Sequence, residues 1–447
     1  MARQLHNSPL LGSNDGNRIV GLKGPNGDEV YFSGLMGRGR ILGQDGDSLT
    51  AYGVAGTSGG QGFSGHPVGI SNRSYWQWAN IELGGVIEFG PNTGIAGDDT
   101  RNLLARWFTY GPGRWGRDVD VISINIGYNN FKNGYTNAET QADLIEIWTR
   151  ALEFNKPVVV FTLTTPTSAS TLTYPYRFRM LQLNQWIREN VKRFPGLHLV
   201  DSWAALVDPL DANAQPKANT TFDGTHYNGY GASLLGHEVA ITVPYLFPNL
   251  RTTVSGVSDT YAADPSSNQM IDYPLFIGTS GTPTGTGVSG PVATGWTFAL
   301  LSGTGTAGCT VTSATNGIGN KQTVAINATT TCLFTLTQTT PSIHTRLAPQ
   351  DRISLDMWIE MSAQTGLNRF DVYFAQSVSG STTRYSSTND DSTVFNPNGW
   401  TGRHCTPTQI IGGTPTDFKP GVVIGVTAGG SLTFSASSAQ ARRKFAA

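Results

Sequence analysis

Cysteine and charge are both scarce in this chain, and each scarcity excludes something. Three cysteines, Cys309, Cys332 and Cys405, stand among 447 residues, too few and odd in number to supply a disulfide framework. Cys309 and Cys332 can pair if their strands are neighbours, and two free buried thiols fit equally well. No Cys/His grouping has metal-ligand spacing, so no metal or other cofactor is expected. Charged residues make up 14% of the chain and balance to a net charge of −1. No long-range field therefore draws nucleic acid or an acidic membrane surface. Arg442-Arg443-Lys444 is a short basic run of the kind that stays solvated. Long apolar runs are missing as well: no segment approaches membrane-spanning length, and Met1–His6 lacks the apolar stretch of a secretory signal.

What the chain does have is glycine placed at turns. Arg40-Ile41-Leu42-Gly43-Gln44-Asp45 reads as a short strand, and it runs into Gly46-Asp47-Ser48-Leu49. A serine in such a bend can hold its hydroxyl over the C-terminal edge of a sheet, where open α/β folds collect ligands. Gly-Asp-Ser is also ordinary turn chemistry, since Asp and Ser hydrogen-bond their own backbone. A catalytic serine needs a base, an acid to orient that base, and donors for the oxyanion. Of the seven histidines, only His226 follows an Asp by three residues, in Asp223-Gly224-Thr225-His226. That spacing lets the carboxylate reach one ring nitrogen while the other faces the serine; a surface turn is the plainer alternative.

Two further segments offer donors. Asn92-Thr93-Gly94-Ile95-Ala96-Gly97-Asp98-Asp99-Thr100 leads into a helical pattern, Arg101 to Trp107. The Gly97 N–H can approach a ligand near a positive helix end, although a loop capped by Asp98 or Asp99 reads the same way. The loop has no Gly-Lys-Ser/Thr and does not fit a dinucleotide fingerprint. Val119–Ile126 is a buried-strand pattern followed by Gly127-Tyr128-Asn129-Asn130. An Asn just past a strand end can donate its amide to an oxyanion or satisfy the turn.

Together these four pieces, Gly-Asp-Ser-Leu, Asn-x-Gly-x-x-Gly-Asp, Gly-x-Asn and Asp-x-x-His in that order, resemble the SGNH hydrolases, also called the GDSL esterase/lipase family. The resemblance covers roughly residues 38 to 250. It implies that Ser48 is the nucleophile, His226 the general base and Asp223 its orienting acid. It also implies an oxyanion hole made by the Ser48 and Gly97 N–H groups and the Asn129 side-chain amide. Asn130 stands where the family commonly has Asp and Asp99 where it commonly has Thr, departures that bear on loop packing.

The intervening sequence reads as α/β without that help. Thr136-x-x-Glu139 is a capping box that opens an amphipathic helix through Leu144, Ile145, Trp148, Ala151 and Leu152. Pro157 to Leu163 is a continuous apolar strand of the kind covered on both faces. A helix follows from Leu181 to Phe194, a strand over Leu197–Val200 and a closing helix from Gly231 to Leu246, with His198 and His237 in structural places. The expected fold is a three-layer α/β/α, flavodoxin-like hydrolase domain over 39–250.

Beyond residue 250 the composition changes: from Asp272 to Arg346 the only charge between them is Lys321. Runs at 295–300, 322–326, 332–336, 351–359 and 369–374 read as strands, which predicts an all-β sandwich or jelly roll over 251–447. Such a domain serves carbohydrate binding or oligomerisation. Trp296, Trp358, Tyr373, Tyr385 and Trp400 are candidate sugar platforms, and core positions are the plainer reading for each. Residues 1–38 form a leader whose Gly21–Phe32 stretch looks like a hairpin with Asn-Gly at its turn. The whole resembles a bacteriophage tail or tailspike protein in its architecture. That analogy implies an enzyme carried on a virion, acting outside cells without a signal peptide, possible homo-oligomers (a trimer if a tailspike), and an acylated polysaccharide as partner. A small acyl group, acetyl first, is the expected leaving acid; a general carboxylesterase, lipase or thioesterase, a non-catalytic glycan-binding protein, and a cytoplasmic location are the alternatives.

Overall fold

The computed structural model describes residues 10–12, 19–23, 29–31, 40–54, 69–166, 174–248, 254, 256, 258–260, 269–315, 318–338, 343–389 and 397–444. The α/β part is built on a five-stranded parallel sheet. Its order is Ile87–Asn92, Arg40–Gly46, Val121–Asn125, Val158–Phe161 and Leu197–Val200. Numbered along the chain this is 2-1-3-4-5, the flavodoxin-like arrangement, whose direction reverses between the first strand and the third. Ser48 follows the first strand directly, so the nucleophile candidate stands at the crevice where such sheets bind ligands.

Alternation within the strands makes the two helical layers. Leu42, Val121, Val159 and Phe161 pack with Tyr75, Trp76 and Ala79 of the helix Tyr75–Glu82 and Leu235 and Val239 of the helix Gly229–Thr242. Ile41, Ile122, Val158 and Val160 face the other way, onto Leu144, Ile147 and Trp148 of Asn137–Leu152 and Met180, Leu183 and Ile187 of Tyr174–Asn190. A strand apolar on both faces has to be covered on both, which is why these runs read as continuous hydrophobic segments. The helix expected from Leu181 begins earlier, at Tyr174, and ends in a 3₁₀ turn at Val191–Arg193. The closing helix starts two residues earlier than expected and stops at Thr242, before a 3₁₀ turn at Pro244–Leu246.

The C-terminal part is strand-rich with a core of its own, from Val292 and Phe298 through Phe334 and Ile359 to Phe434. Among the described residues its twelve strands form one hydrogen-bonded network, joined by Gly69–Ser71 of the α/β part and organised by a strand the sequence pattern did not reveal, Pro415–Lys444. One half of that strand pairs with Cys332–Gln338 and Thr365–Val378; the other pairs with Asn320–Ala328 and Arg352–Met361. The break falls at Gly429, whose positive φ of +74° bends the chain between the halves. Cys309 and Cys332 are free and buried, and Cys405 is buried. Cys309 pairs across to Val324 and Cys332 to Val426, so their strands are not neighbours.

Of the aromatic residues considered as sugar platforms, Trp296 and Tyr373 are core residues, and Tyr385, Trp400 and Trp358 are half-buried. Trp296 is fully buried and stacks on Phe276 at 4.4 Å, and Tyr373 is buried beneath Arg384. Tyr385 leans on Phe374, and Trp400 packs edge-on to Trp78 and Phe370. At the N-terminus, Ile19–Lys23 and Glu29–Tyr31 pair antiparallel as the hairpin reading expected, with Leu10–Gly12 added alongside. The Asn-Gly turn itself lies outside the described residues. Among the described residues, no helix is long and apolar enough to cross a membrane.

Candidate active site

Gly46 ends its strand where there is no room for a side chain. A Cβ there would come within 2.1 Å of the Asn125 carbonyl oxygen, and the φ of +154° suits glycine alone. The chain then turns into the short helix Ser48–Ala51, capped by Asp47 through its acceptance of the Leu49 N–H at 2.9 Å. Ser48 is thereby held at the helix start, 8% exposed.

The base arrives from 178 residues away. Thr221 and Tyr227 form an isolated antiparallel bridge, and the Phe222 N–H donates to the His226 carbonyl at 3.0 Å. In the tight loop so closed, Asp223 Oδ1 accepts the N–H groups of Thr225 and His226 at 3.0 and 2.8 Å. Its Oδ2 stands 2.6 Å from His226 Nδ1, and His226 Nε2 stands 2.8 Å from Ser48 Oγ. Burial raises the Asp223 carboxyl, but the hydrogen bonds from the His226 and Thr225 amides and from the imidazole outweigh it and hold it below the usual range. The carboxylate therefore stays charged beside the ring, as an orienting acid must.

The Gly97 and Asn129 loops close around the same turn. The Ile95 N–H donates to the Gly46 carbonyl at 3.0 Å and the Asn92 amide to the Thr50 carbonyl at 2.9 Å. Gly97 has a φ of +87° and open space where a side chain would lie. The Asn129 amide donates to the Asp98 carbonyl at 2.9 Å, which fixes one of its hydrogens and leaves the other to point elsewhere. The two departures from the family pattern are absorbed by packing. Asp99 caps the helix Thr100–Ala105 and accepts from Asn133; Asn130 accepts the Thr100 N–H and donates to the Thr100 and Thr140 hydroxyls.

A buried charge cluster escaped the sequence reading. Asp45 is fully buried, and Arg106 donates to both its oxygens, at 3.1 and 2.6 Å. The same guanidinium donates to Asp98 Oδ2 at 2.6 Å and to the Gly46 carbonyl at 3.3 Å. Burial pushes the Asp45 carboxyl up to about 6 against the pull of Arg106. Arg106 so ties the strand that delivers Ser48 to the residue that follows Gly97. The signal was present: a charge in an otherwise apolar strand needs a partner. Among the described residues, no group of three or more His, Cys, Asp or Glu could hold a metal ion.

Residues 46–234 match the model of the GDSL-like Lipase/Acylhydrolase family. Over those residues the α/β unit is similar to the GDSL-type acylhydrolases. An acetylxylan esterase from Geobacillus stearothermophilus shares 20% identity over 48% of this chain and 98% of its own, with a TM-score of 0.36. An α/β hydrolase enzyme from the metagenome of Lake Arreo, Spain, shares 22% identity over 46% of this chain and 97% of its own, with a TM-score of 0.34. No curated protein sequence matches the chain. The α/β unit carries a serine, an imidazole and a carboxylate in hydrogen-bonded series, with two donor-bearing loops beside them.

Proposed function

We propose that the acylhydrolase removes small O-acyl groups, acetyl first, from a bacterial surface polysaccharide through an acyl-enzyme on Ser48. The observation that carries the chemistry is the unbroken series Ser48 Oγ, His226 Nε2, His226 Nδ1 and Asp223 Oδ2, at 2.8 and 2.6 Å. In this reading His226 takes the Ser48 proton as Oγ attacks the ester carbonyl, and Asp223 steadies the imidazolium that forms. The oxyanion is met by the Ser48 and Gly97 N–H groups and the free amide hydrogen of Asn129. Each such donor is worth about 3 kcal/mol of transition-state stabilisation. The alcohol leaves with the proton from His226, and water, activated by the same ring, releases the acid.

Polar Asp98 and Asn129, which keep a little exposure in the loops beside Ser48, favour a hydroxyl-rich alcohol over a lipid. Hydrolysis of p-nitrophenyl acetate by the protein, lost at least a thousandfold in Ser48→Ala, tests the chemistry. Release of acetate from capsule or O-antigen tests the substrate class, and a preference for long-chain esters would favour a lipase instead. We further place the enzyme on a bacteriophage tail, on the analogy of a hydrolase joined to a Gly/Thr/Ser-rich strand unit. Mass-spectrometric detection of this chain in purified virions, as a trimer by sedimentation, is the expected result.

A further inference from the structure

We propose that Arg73 is a positioning residue for His226, acting through the rings of Phe222 and Tyr52. Tyr52 is the C-cap of the short helix that begins at Ser48, and Phe222 closes the loop that carries Asp223 and His226. The two rings meet edge to face at 6.0 Å. His226 sits in their corner: its ring is nearly parallel to Phe222, 22° apart at 5.6 Å, and edge-on to Tyr52 at 4.8 Å. The Arg73 guanidinium lies over Phe222 at 4.0 Å and over Tyr52 at 5.5 Å. One buried cation thus holds a ring from the nucleophile's element and a ring from the base's loop against each other. Arg73 itself is only 7% exposed, and desolvation strengthens a cation–π contact.

The need for such a clamp follows from how the loop is made. Asp223 and His226 lie in a seven-residue turn with a single bridge at its neck, and the Asp223 side chain is 40% exposed. Local hydrogen bonds set the imidazole relative to Asp223, and buried Tyr227 anchors one end of the turn through Thr164. The Phe222 stack ties the other end to Tyr52, on the element that carries Ser48. Arg73 follows the strand Gly69–Ser71, whose Ser71 N–H donates to the Gly53 carbonyl at 3.0 Å. That strand also pairs in parallel with Ser381–Asn389 of the C-terminal unit, Gly69 opposite Ser386 and Ser71 opposite Asn389. The clamp is therefore seated on both units, and the strand-rich part takes a share in holding the base in place.

The inference rests on the serine-esterase reading but not on the identity of the acyl donor, so p-nitrophenyl acetate serves as the probe. Phe222→Leu keeps an apolar side chain without a ring, and Arg73→Met keeps length without the cation. Each is expected to lower kcat about tenfold with KM changed less than twofold, and to slow labelling of Ser48 by a fluorophosphonate in proportion. Phe222→Tyr, which restores the ring, is expected to return kcat to within twofold of the wild type. Phe222 lies in a half-buried loop, so its variants remain folded even if Arg73→Met does not. Wild-type kcat in Phe222→Leu, or a kcat in Phe222→Tyr as low as in Phe222→Leu, would overturn the proposal. If the wild type itself cleaves p-nitrophenyl acetate but no acetylated glycan, only the substrate assignment fails.

Discussion

Asp47 shows what a single buried carboxyl does beside the nucleophile. It is 1% exposed; Oδ1 accepts from Leu49, and Oδ2 has no hydrogen-bond partner among the described residues. Burial, with the charge of Asp98 adding to it against the Leu49 hydrogen bond, pushes the carboxyl up to about 7. The unfolded chain releases the same proton near pH 3.9. Between about pH 4 and pH 7 the unfolded state therefore binds fewer protons than the folded one, and stability falls as the pH rises. Asp47→Asn removes that loss while keeping an acceptor for Leu49. The expected result is a melting temperature above the wild type at pH 8 and equal to it near pH 4. An equal difference at both pH values would contradict the assignment. The sequence shows Asp47 only as turn chemistry; its burial is a product of the tertiary fold.

At the scale of elements, the helix Asn137–Leu152 links a local signal to the site. The Thr136 hydroxyl accepts the Glu139 N–H at 3.2 Å, and Glu139 Oε2 accepts the Thr136 N–H at 2.8 Å. That reciprocal box was legible in four residues because both partners are fixed by one turn of chain. Its consequence was not. Thr140, in the first turn, receives the amide of Asn130, the neighbour of Asn129. Fraying of the helix start would thus loosen the loop that carries an oxyanion donor. Thr136→Ala is expected to cost about 1 kcal/mol in urea unfolding and to lower kcat in the folded fraction, because the loop that carries Asn129 loosens. The strand Pro415–Lys444 is the opposite case. Its Gly, Ser, Thr and Ala residues carry no strong period, and only pairing with four neighbours makes it a strand.

The two units meet over a packed and partly charged face. Arg352 of the strand-rich unit donates to Glu88 of the parallel sheet at 3.0 Å, and Glu88 has no exposure. Gln77 donates to the Cys405 carbonyl at 3.4 Å, and Trp78 meets Trp400 edge-on at 5.5 Å. Gly402 packs so closely that a Cβ would lie 2.5 Å from Ile81. Such a face makes the halves unfold together. Arg352→Met removes the Arg352–Glu88 ion pair from a buried carboxylate, at an expected cost of about 3 kcal/mol. Calorimetry should show one transition in the wild type and a lower, or split, transition in the variant. An unchanged melt would mean that the interface contributes nothing to stability.

The sequence by itself determined what short stretches of chain can fix. The Asp223–His226 spacing, the glycine-bounded Ser48 turn, the capping box and the apolar strands of the parallel sheet were all readable. Each depends on residues within a turn or a strand of one another, where covalent connection already sets the geometry. Tertiary structure alone decided which distant groups meet: Ser48 with His226, Asp45 with Arg106, and Arg73 with the rings beside the base. It also decided that Trp296 and Tyr373 face inward. Alternation along a strand separates two faces without saying which one is covered, and that choice is made by the layer packed against it.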